Sequence, residues 1–240
     1  HGGLEIQTTI NSKIQKIVNY SLREKLGTLN SKKENEQNLQ GAVIVIENKT
    51  GKILAIAGGN NFLESKYNRA VNKNALRQPG SVFKPFVYAA ALEGGLSIDD
   101  YICDCPISLP DKIDIRGHVI KWWRPHNYEQ KSLPPYMGNI ELWKAIALSR
   151  NLATIHLARK IKIKKVIEFA HRAGIESNLD PYLPTAIGAS SVNLLEITTG
   201  YTVFANEGKL IKPYIIKGVK NRDGKIWRKD QGKPKEVLMP

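Results

Sequence analysis

The chain has 240 residues, 42% of them hydrophobic, which is enough to bury the core of one domain with at most a small appendage. Its formal net charge is +14, but the basic residues are dispersed and accompany no zinc-finger or RNA-recognition pattern. Nucleic acid is therefore not expected as a partner, and a solvated basic surface accounts for most of the lysines. No apolar stretch approaches the length of a membrane span, and no secretory signal begins the chain.

The N-terminal segment predicts a strand followed by a helix. Residues 4–10 alternate weakly and indicate a strand. Apolar residues at helical spacing then predict a helix that is capped by Asn11 and stopped by Gly27. Residues 30–40 are polar and predict a mobile loop.

A buried β-hairpin is predicted next, from residues 42–46 and 52–57. Its turn contains the triplet Lys49-Thr50-Gly51. A K-T-G triplet forms part of the active site in one group of serine acyl transferases, together with S-x-x-K and S-x-N motifs. Here the triplet stands where a tight turn is needed, and Gly51 permits positive φ. We interpret it as a turn and not as part of a site.

The segment Arg77–Phe86 contains Ser81 and Lys84 in an S-x-x-K motif. Pro79-Gly80 indicates a turn, and the apolar residues that follow predict a largely buried helix from about Ser81 to Gly94. Residues three apart share a helical face, so the Ser81 hydroxyl and the Lys84 amine can meet.

This pair has the elements of nucleophilic catalysis. A serine hydroxyl needs an adjacent base, and a lysine can be that base only where burial or a second cation lowers its pKa from about 10.4. The alternative is a capping serine followed by a surface lysine, and the two residues by themselves favour that alternative.

Residues 96–138 have little regular pattern, and so long an irregular segment is more often functional than idle. It contains the only two cysteines, Cys103 and Cys105. We expect two free thiols, because closing so small a ring strains a disulfide. A metal site would need further ligands, with His118 and His126 the nearest, and the spacing matches no zinc pattern.

The remaining chain predicts mainly helices and then strands, which is an α+β pattern. A helix is predicted from the cap Asn139, interrupted at Ser149-Arg150-Asn151 and followed by another. The other predicted elements are a helix ending at Gly174, a helix capped by Ser190 or Ser191 and stopped by Gly208, and strands at 214–219 and 226–227 joined by a turn at 221–224.

An S-x-N pattern occurs twice, at Ser149–Asn151 and at Ser191–Asn193. The second falls at a predicted helix start, where Ser and Asn cap the backbone. The first lies between two apolar helical runs, where Ser149 could relay a proton and Asn151 could hold a substrate amide. A helix junction that needs polar caps explains the first pattern equally well.

Six segments in a fixed order strengthen the catalytic interpretation. Together they resemble the transpeptidase domain of class A (bifunctional) penicillin-binding proteins, over nearly the whole chain. The segments are Gly2–Asn11, Thr50–Gly59, Arg77–Phe86, Trp123–Tyr128, Ala147–Asn151 and Ala205–Gly208.

The resemblance implies a serine DD-transpeptidase/β-lactamase-like α+β fold, with an antiparallel sheet flanked by helices and an all-helical subdomain. It implies that Ser81 is the acylated nucleophile, Lys84 its base, and Ser149 and Asn151 the second motif. Arg150 stands where many relatives have Asp and this class often has Arg. One oxyanion donor would be the Ser81 backbone N–H.

The chain also departs from the family pattern. No K-T-G triplet follows Gly208, so we expect the domain to be truncated before that strand. No segment resembles the glycosyltransferase half that precedes this domain in the bifunctional proteins. We therefore assign residues 1–40 to an N-terminal segment and linker, and residues 41–240 to the transpeptidase domain.

The function implied by the resemblance is cross-linking of peptidoglycan stem peptides that end in D-Ala-D-Ala, outside the cytoplasmic membrane. β-Lactam antibiotics would acylate the same serine, and no metal or organic cofactor is required. Any membrane attachment would come from parts of the protein absent here, and the oligomeric state is left open. The alternatives are a carboxypeptidase or β-lactamase on the same scaffold, or a non-catalytic module that binds peptidoglycan or a partner protein.

Overall fold

The computed structural model describes residues 3–31, 39–221, 226–228 and 234–238. Most of the mobile loop predicted at 30–40, and most of the turn predicted at 221–224, lie outside the described residues.

The described chain mixes helices with short strands, as the α+β prediction requires. The helices are α1 Ser12–Asn30, α2 Lys84–Glu93, α3 Leu142–Ala147, α4 Asn151–Ile161, α5 Ile163–Arg172 and α6 Leu194–Ala205. Two 3-10 turns lie at Gly80–Phe83 and Leu183–Ile187. The strands are β1 Glu5–Thr8, β2 Val43–Ile46, β3 Ile53–Ala57, β4 Leu76–Arg77, β5 Tyr101–Asp104, β6 Leu109–Ile113, β7 Val119–Trp123, β8 Gly138–Glu141, β9 Val192–Asn193, β10 Lys209–Leu210, β11 Ile216–Lys220, β12 Ile226–Arg228 and β13 Lys235–Glu236.

The chain divides into two compact units. The first takes in His1–Arg77, His171–Ser177 and Val192–Pro240, and the second Gln78–Ala170 and Asn178–Ser191. All four predicted site residues belong to the second unit. The predicted domain boundary at residue 40 stays a prediction.

In the first unit, β11 pairs with β1 and β12 in a three-stranded antiparallel sheet, and β2 and β3 form a hairpin. Helix α1 packs on this hairpin, with Val18 against Ala55 and Ala57. The Asn11 side chain accepts hydrogen bonds from the first backbone N–H groups of α1, which confirms the predicted cap. The predicted stop at Gly27 is wrong, because one glycine costs a helix only about 1 kcal/mol and α1 continues to Asn30.

The Lys49-Thr50-Gly51 triplet forms the turn between β2 and β3, as the sequence predicts. Gly51 has φ of +71° and its N–H donates to the Glu47 carbonyl oxygen at 2.9 Å. The Thr50 hydroxyl donates to the Glu47 carboxylate, which also pairs with Lys52 at 3.3 Å. The turn itself therefore accounts for the Thr50 side chain and for the glycine at position 51.

Helix α2 lies at the centre of the second unit and is buried on nearly every side. Phe83 and Phe86 lie 5.4 Å apart between ring centres, and Phe86 lies 6.4 Å from Phe169 of α5. Helix α4 packs against α2, with the Tyr88 and Thr154 hydroxyls 3.3 Å apart, and its Leu152 and Ile155 are fully buried. Burying each such side chain contributes about 1.5–3 kcal/mol, so α2 is held firmly in place.

The predicted interruption at Ser149–Asn151 is confirmed, because α3 ends at Ala147 and α4 begins at Asn151. Two predicted caps are wrong. Asn139 pairs with Cys103 within the β5–β8 ladder, so Glu141 precedes α3 instead. Asn193 caps α6 through its side chain, in place of Ser190 or Ser191.

Residues 96–138 hold more regular structure than the sequence indicates, including the β6–β7 hairpin and the β5–β8 pair. Their pairing is between segments, so no local apolar period reveals it. The expectation of two free thiols is also wrong, since Cys103 and Cys105 form a disulfide. Their Cα atoms lie 5.3 Å apart, inside the usual range for a disulfide, because the chain leaves the strand after Asp104.

Within the described ranges, no helix is both long enough and apolar enough to cross a bilayer.

Candidate active site

Ser81 and Lys84 lie at the start of the central helix of the second unit. Ser81 is in the 3-10 turn with its residue exposed, whereas Lys84 is the first residue of α2 and is only 2% exposed. Pro85 follows directly, in the first turn, where a missing N–H costs nothing. The sequence therefore places an exposed hydroxyl one helical turn before a buried amine.

The Lys84 amine is held by the second motif. It donates to the Ser149 carbonyl oxygen, to the Ser149 hydroxyl at 3.0 Å and to the Asn151 amide oxygen at 2.7 Å. A lysine ammonium has three donors and no acceptor, so this set uses all three. Among the residues that the structure describes, no hydrogen bond joins this amine to the Ser81 hydroxyl.

The environment lowers the pKa of Lys84 to about 8, mainly through burial and then through the nearby Arg150 cation, while Asp104 acts in the opposite direction. At that pKa, an appreciable fraction of the amine is neutral near pH 7 to 8. A neutral amine has only two N–H donors and gains an acceptor lone pair. Loss of the proton therefore frees one contact and allows the amine to accept a proton.

Ser149 has a strained backbone. Its φ is +53°, in the left-handed region that costs a non-glycine residue about 1–2 kcal/mol. The Ser149 N–H donates to the Ile146 carbonyl and the Arg150 N–H to the Ala145 carbonyl, each at 2.9 Å. Such strain persists only where the surroundings fix the conformation, and it is common at functional sites.

Asn151 lies at the first position of α4 and uses both ends of its amide. Its oxygen accepts from Lys84, and its nitrogen donates to the His126 carbonyl oxygen at 3.0 Å. An amide has two donors and two lone pairs, so one of each remains for a further partner. The predicted role in holding a substrate amide stays a prediction.

A buried network that the sequence did not reveal lies behind this motif. Asp104 is fully buried and Arg150 is 2% exposed. The Arg150 Nε and Nη2 atoms both lie 2.7 Å from one Asp104 oxygen, and Asn127 donates to the other at 2.8 Å. The only sequence signals were a charged residue between two cysteines and an asparagine in the aromatic-rich segment 123–128.

A second missed residue is Gly188, which closes the 3-10 turn Leu183–Ile187 with φ of +79°. The Gly80 N–H donates to its carbonyl oxygen at 3.2 Å. A Cβ at Gly188 would lie 2.1 Å from the Gly80 oxygen and 2.5 Å from its nitrogen. Only glycine allows this approach, so Gly188 fixes the residue that precedes Ser81.

No metal site accompanies these groups in the part of the chain that the structure describes, where His, Cys, Asp and Glu nowhere cluster in threes around a common point. The site brings together the exposed Ser81 hydroxyl and the buried Lys84 amine of lowered pKa. The Ser149 hydroxyl and the Asn151 amide hold that amine.

These groups stand in the order of the S-x-x-K and S-x-N motifs of penicillin-recognising serine acyl transferases. A family model described as the penicillin-binding protein transpeptidase domain matches residues 41–239. The chain belongs to this family, and the resemblance to the transpeptidase domain of class A proteins drawn from the sequence is confirmed.

Within the family, the chain is similar to the proteins named penicillin-binding protein 1A. It is 37% identical to that of Rickettsia bellii over 193 residues, which is 80% of this chain and 23% of the relative. The chain thus spans about a quarter of the length of the curated relatives it matches.

Two solved structures show the same fold. Penicillin-binding protein 1A of Haemophilus influenzae is 33% identical, with a TM-score of 0.68, and the match covers 84% of this chain and 28% of that one. Penicillin-binding protein A of Mycobacterium tuberculosis, solved as an imipenem acyl-enzyme complex, is 21% identical, with a TM-score of 0.74 over 99% and 60% of the two chains. The predicted α+β transpeptidase fold is confirmed.

Proposed function

We propose that this chain carries the acylating residues of a peptidoglycan DD-transpeptidase, with Ser81 as nucleophile and Lys84 as its base. The observation that carries the proposal is the setting of the Lys84 amine. It is buried, its pKa is lowered to about 8, and it contacts the Ser149 hydroxyl and the Asn151 amide. A lysine in a structural role has no need of this combination.

In the first step, the Ser81 oxygen forms an ester with the carbonyl of the penultimate D-alanine, and the bond to the terminal D-alanine nitrogen breaks. The Ser81 proton passes to the neutral Lys84 amine and returns through the Ser149 hydroxyl to the leaving nitrogen. The Ser81 backbone N–H stabilises the charge that develops on the carbonyl oxygen.

In the second step, an amine from a neighbouring stem peptide attacks the ester. An amide bond forms, the ester bond breaks, and the proton lost by the amine returns to the Ser81 oxygen. Asn151 would hold the substrate backbone with the donor and acceptor that remain on its amide. Each protein group ends in its starting protonation state, so no cofactor takes part in these steps.

β-Lactams are the second class of ligand that we propose for this site, because their strained amide would acylate Ser81 in the same way. The relative from Mycobacterium tuberculosis forms an acyl-enzyme with imipenem. We also propose an extracytoplasmic location at the bacterial inner membrane. The Cys103–Cys105 disulfide supports it, since disulfides persist mainly in oxidising compartments.

The test is labelling of the full-length protein by fluorescent penicillin. We expect covalent labelling of the parent and none of Ser81→Ala. Ser108→Ala is the matched control, because Ser108 is also exposed and lies outside the site. Labelling that survives in Ser81→Ala would contradict the assignment.

Product analysis then separates transfer from hydrolysis. With stem peptides and an amine acceptor, we expect cross-linked dimers. Trimmed peptides alone would indicate a carboxypeptidase, and hydrolysed penicillin without a lasting acyl-enzyme would indicate a β-lactamase. The absence of any acylation would leave only a binding module.

A further inference from the structure

We propose that Asp104 is a positioning residue, which holds Ser149 and Asn151 in place against Lys84 through Arg150 and Asn127. This inference rests on the proposed function, because it assigns a role within the same site. Asp104 touches no reacting atom in that proposal and acts through its neighbours.

The carboxylate of Asp104 accepts hydrogen bonds from three segments of the chain. The Arg150 Nε at 2.7 Å and the Met137 backbone N–H at 3.1 Å donate to one oxygen, and the Asn127 amide nitrogen at 2.8 Å donates to the other. The Arg150 Nη2 atom adds an ion-pair contact at 2.7 Å. A fully buried carboxylate with this set of partners is fixed in both position and orientation.

Arg150 transmits that position to the second motif, because it lies between Ser149 and Asn151 in the chain. Its guanidinium also donates to the Pro134 and Pro135 carbonyl oxygens at 2.9 and 2.8 Å. With the side chain anchored on three acceptors, the backbone at residue 150 has little freedom. The strained left-handed conformation of Ser149 is therefore held from the residue beside it.

Asn127 forms the second connection. Its amide nitrogen donates to Asp104 and to the Pro135 carbonyl, and its oxygen accepts from the Leu152 backbone N–H at 3.1 Å. Helix α4 has no cap from its own N-terminal residue, so Asn127 caps it from a distant segment. Asp104 thereby fixes the first turn of α4, where Asn151 lies.

A purely stabilising role does not explain these charges well. Removing two ions from water is costly, and well-packed apolar side chains in place of a buried ion pair are often at least as stable. The Asp104–Arg150 ion pair does, however, fix one arrangement of the segments that carry Asp104, Asn127 and Pro134–Met137. The Cys103–Cys105 disulfide brackets Asp104 on both sides and limits its backbone in the same way.

Asp104 and Arg150 are also the charges that act on the Lys84 amine, the first opposing and the second favouring its deprotonation. Other titratable groups on α2 and on the helices packed against it are not among the groups that shift it. They are Tyr88 and Glu93 on α2, Lys144 on α3, His156, Arg159 and Lys160 on α4, and Lys164, Lys165, Glu168, His171 and Arg172 on α5. A change at either charge should therefore alter the pH at which Lys84 becomes an effective base.

The experiment measures the rate of acylation by fluorescent penicillin against pH, in the full-length protein and per folded molecule. For Asp104→Asn we expect a maximal rate that is about tenfold to a hundredfold lower, since displacements of about 1 Å can cost a hundredfold. We also expect the midpoint of the rise to move to lower pH, because loss of the Asp104 charge favours the neutral Lys84 amine. Asp114→Asn is the matched control, because Asp114 is a partly exposed carboxylate in the β6–β7 turn, outside the site.

A charge-free double variant, Asp104→Leu with Arg150→Met, separates positioning from stability. We expect it to unfold near the parent temperature, to acylate at least tenfold more slowly, and to have its midpoint at higher pH, because Arg150 has the larger influence on Lys84. The midpoint moves whenever these charges are removed, whereas a merely structural role would leave the maximal rate per folded molecule unchanged. A parental maximal rate per folded molecule in either variant would overturn the proposal.

The same measurements distinguish failure of the positioning role of Asp104 from failure of the proposed function. If the parent is unlabelled, or if Ser81→Ala is labelled, the proposed function itself is wrong. If those two controls behave as expected and only the Asp104 variants match the parent, the positioning role alone is wrong.

Discussion

The Lys84 amine donates a 3.0 Å hydrogen bond to the Ser149 hydroxyl, a residue 65 positions further along the chain. With the bond to Asn151, this contact links the two motifs in one unit. It also explains why the Lys84 amine can be buried, since every proton of the ammonium has an acceptor.

The first prediction concerns pH. Below about pH 8 the Lys84 amine is mainly protonated and cannot accept the Ser81 proton, and above it the amine is mainly neutral. Acylation by penicillin should therefore rise with pH through a midpoint near 8. A rate that is independent of pH between about 6.5 and 9 would argue against Lys84 as the base.

Lys84→Arg should lower the acylation rate by about a hundredfold to ten-thousandfold, because an arginine stays charged and cannot act as the base. Lys144→Arg on α3 is the control and should acylate like the parent. Equal rates in the two variants would show that the charge state of Lys84 is irrelevant.

The second prediction uses the strained backbone of Ser149. Ser149→Ala and Ser149→Gly both remove the hydroxyl, so both should acylate more slowly and to a similar extent. Glycine adopts positive φ without the steric cost, so Ser149→Gly should be about 1 kcal/mol more stable than Ser149→Ala. Denaturant unfolding measures this difference, and equal stabilities would contradict the strained conformation.

The third prediction concerns Gly188. Gly188→Ala places a Cβ within 2.1 Å of the Gly80 oxygen, so the turn that carries Ser81 must move. We expect acylation to fall by about a hundredfold and unfolding to become easier by about 1–3 kcal/mol. Gly117→Ala is the matched control, because Gly117 has φ of +88° and open space around it. If Gly188→Ala and Gly117→Ala lower the free energy of unfolding by the same amount and acylate at the same rate, the contact between Gly188 and Gly80 has no role.

The fourth prediction concerns the cysteines. In unfolded, unreduced protein, neither Cys103 nor Cys105 should react with a maleimide, and both should react after reduction. The peptide that contains them can be identified by mass. Because the ring closed by the disulfide is short, replacing both residues with serine should cost no more than about 2 kcal/mol. Reaction of both thiols before reduction would mean that they are free.

Local features were predictable because their causes are local. The Asn11 cap, the β2–β3 hairpin turn and the break at Ser149–Asn151 each follow from residue types within a few positions. The errors have the same origin. Asn139 can cap a helix, but it pairs in a ladder with Cys103, and that competing partner lies 36 residues away in the sequence.

The sequence by itself determined the four candidate residues and their family, because motifs and their order are properties of the chain. Only the tertiary structure decided what surrounds them. Asp104, Asn127 and Gly188 became visible through contacts between distant segments, where burial makes an unpaired charge costly and leaves no room for a Cβ. The pKa of Lys84 belongs to this second group, since it depends on burial and on charges that only folding brings near.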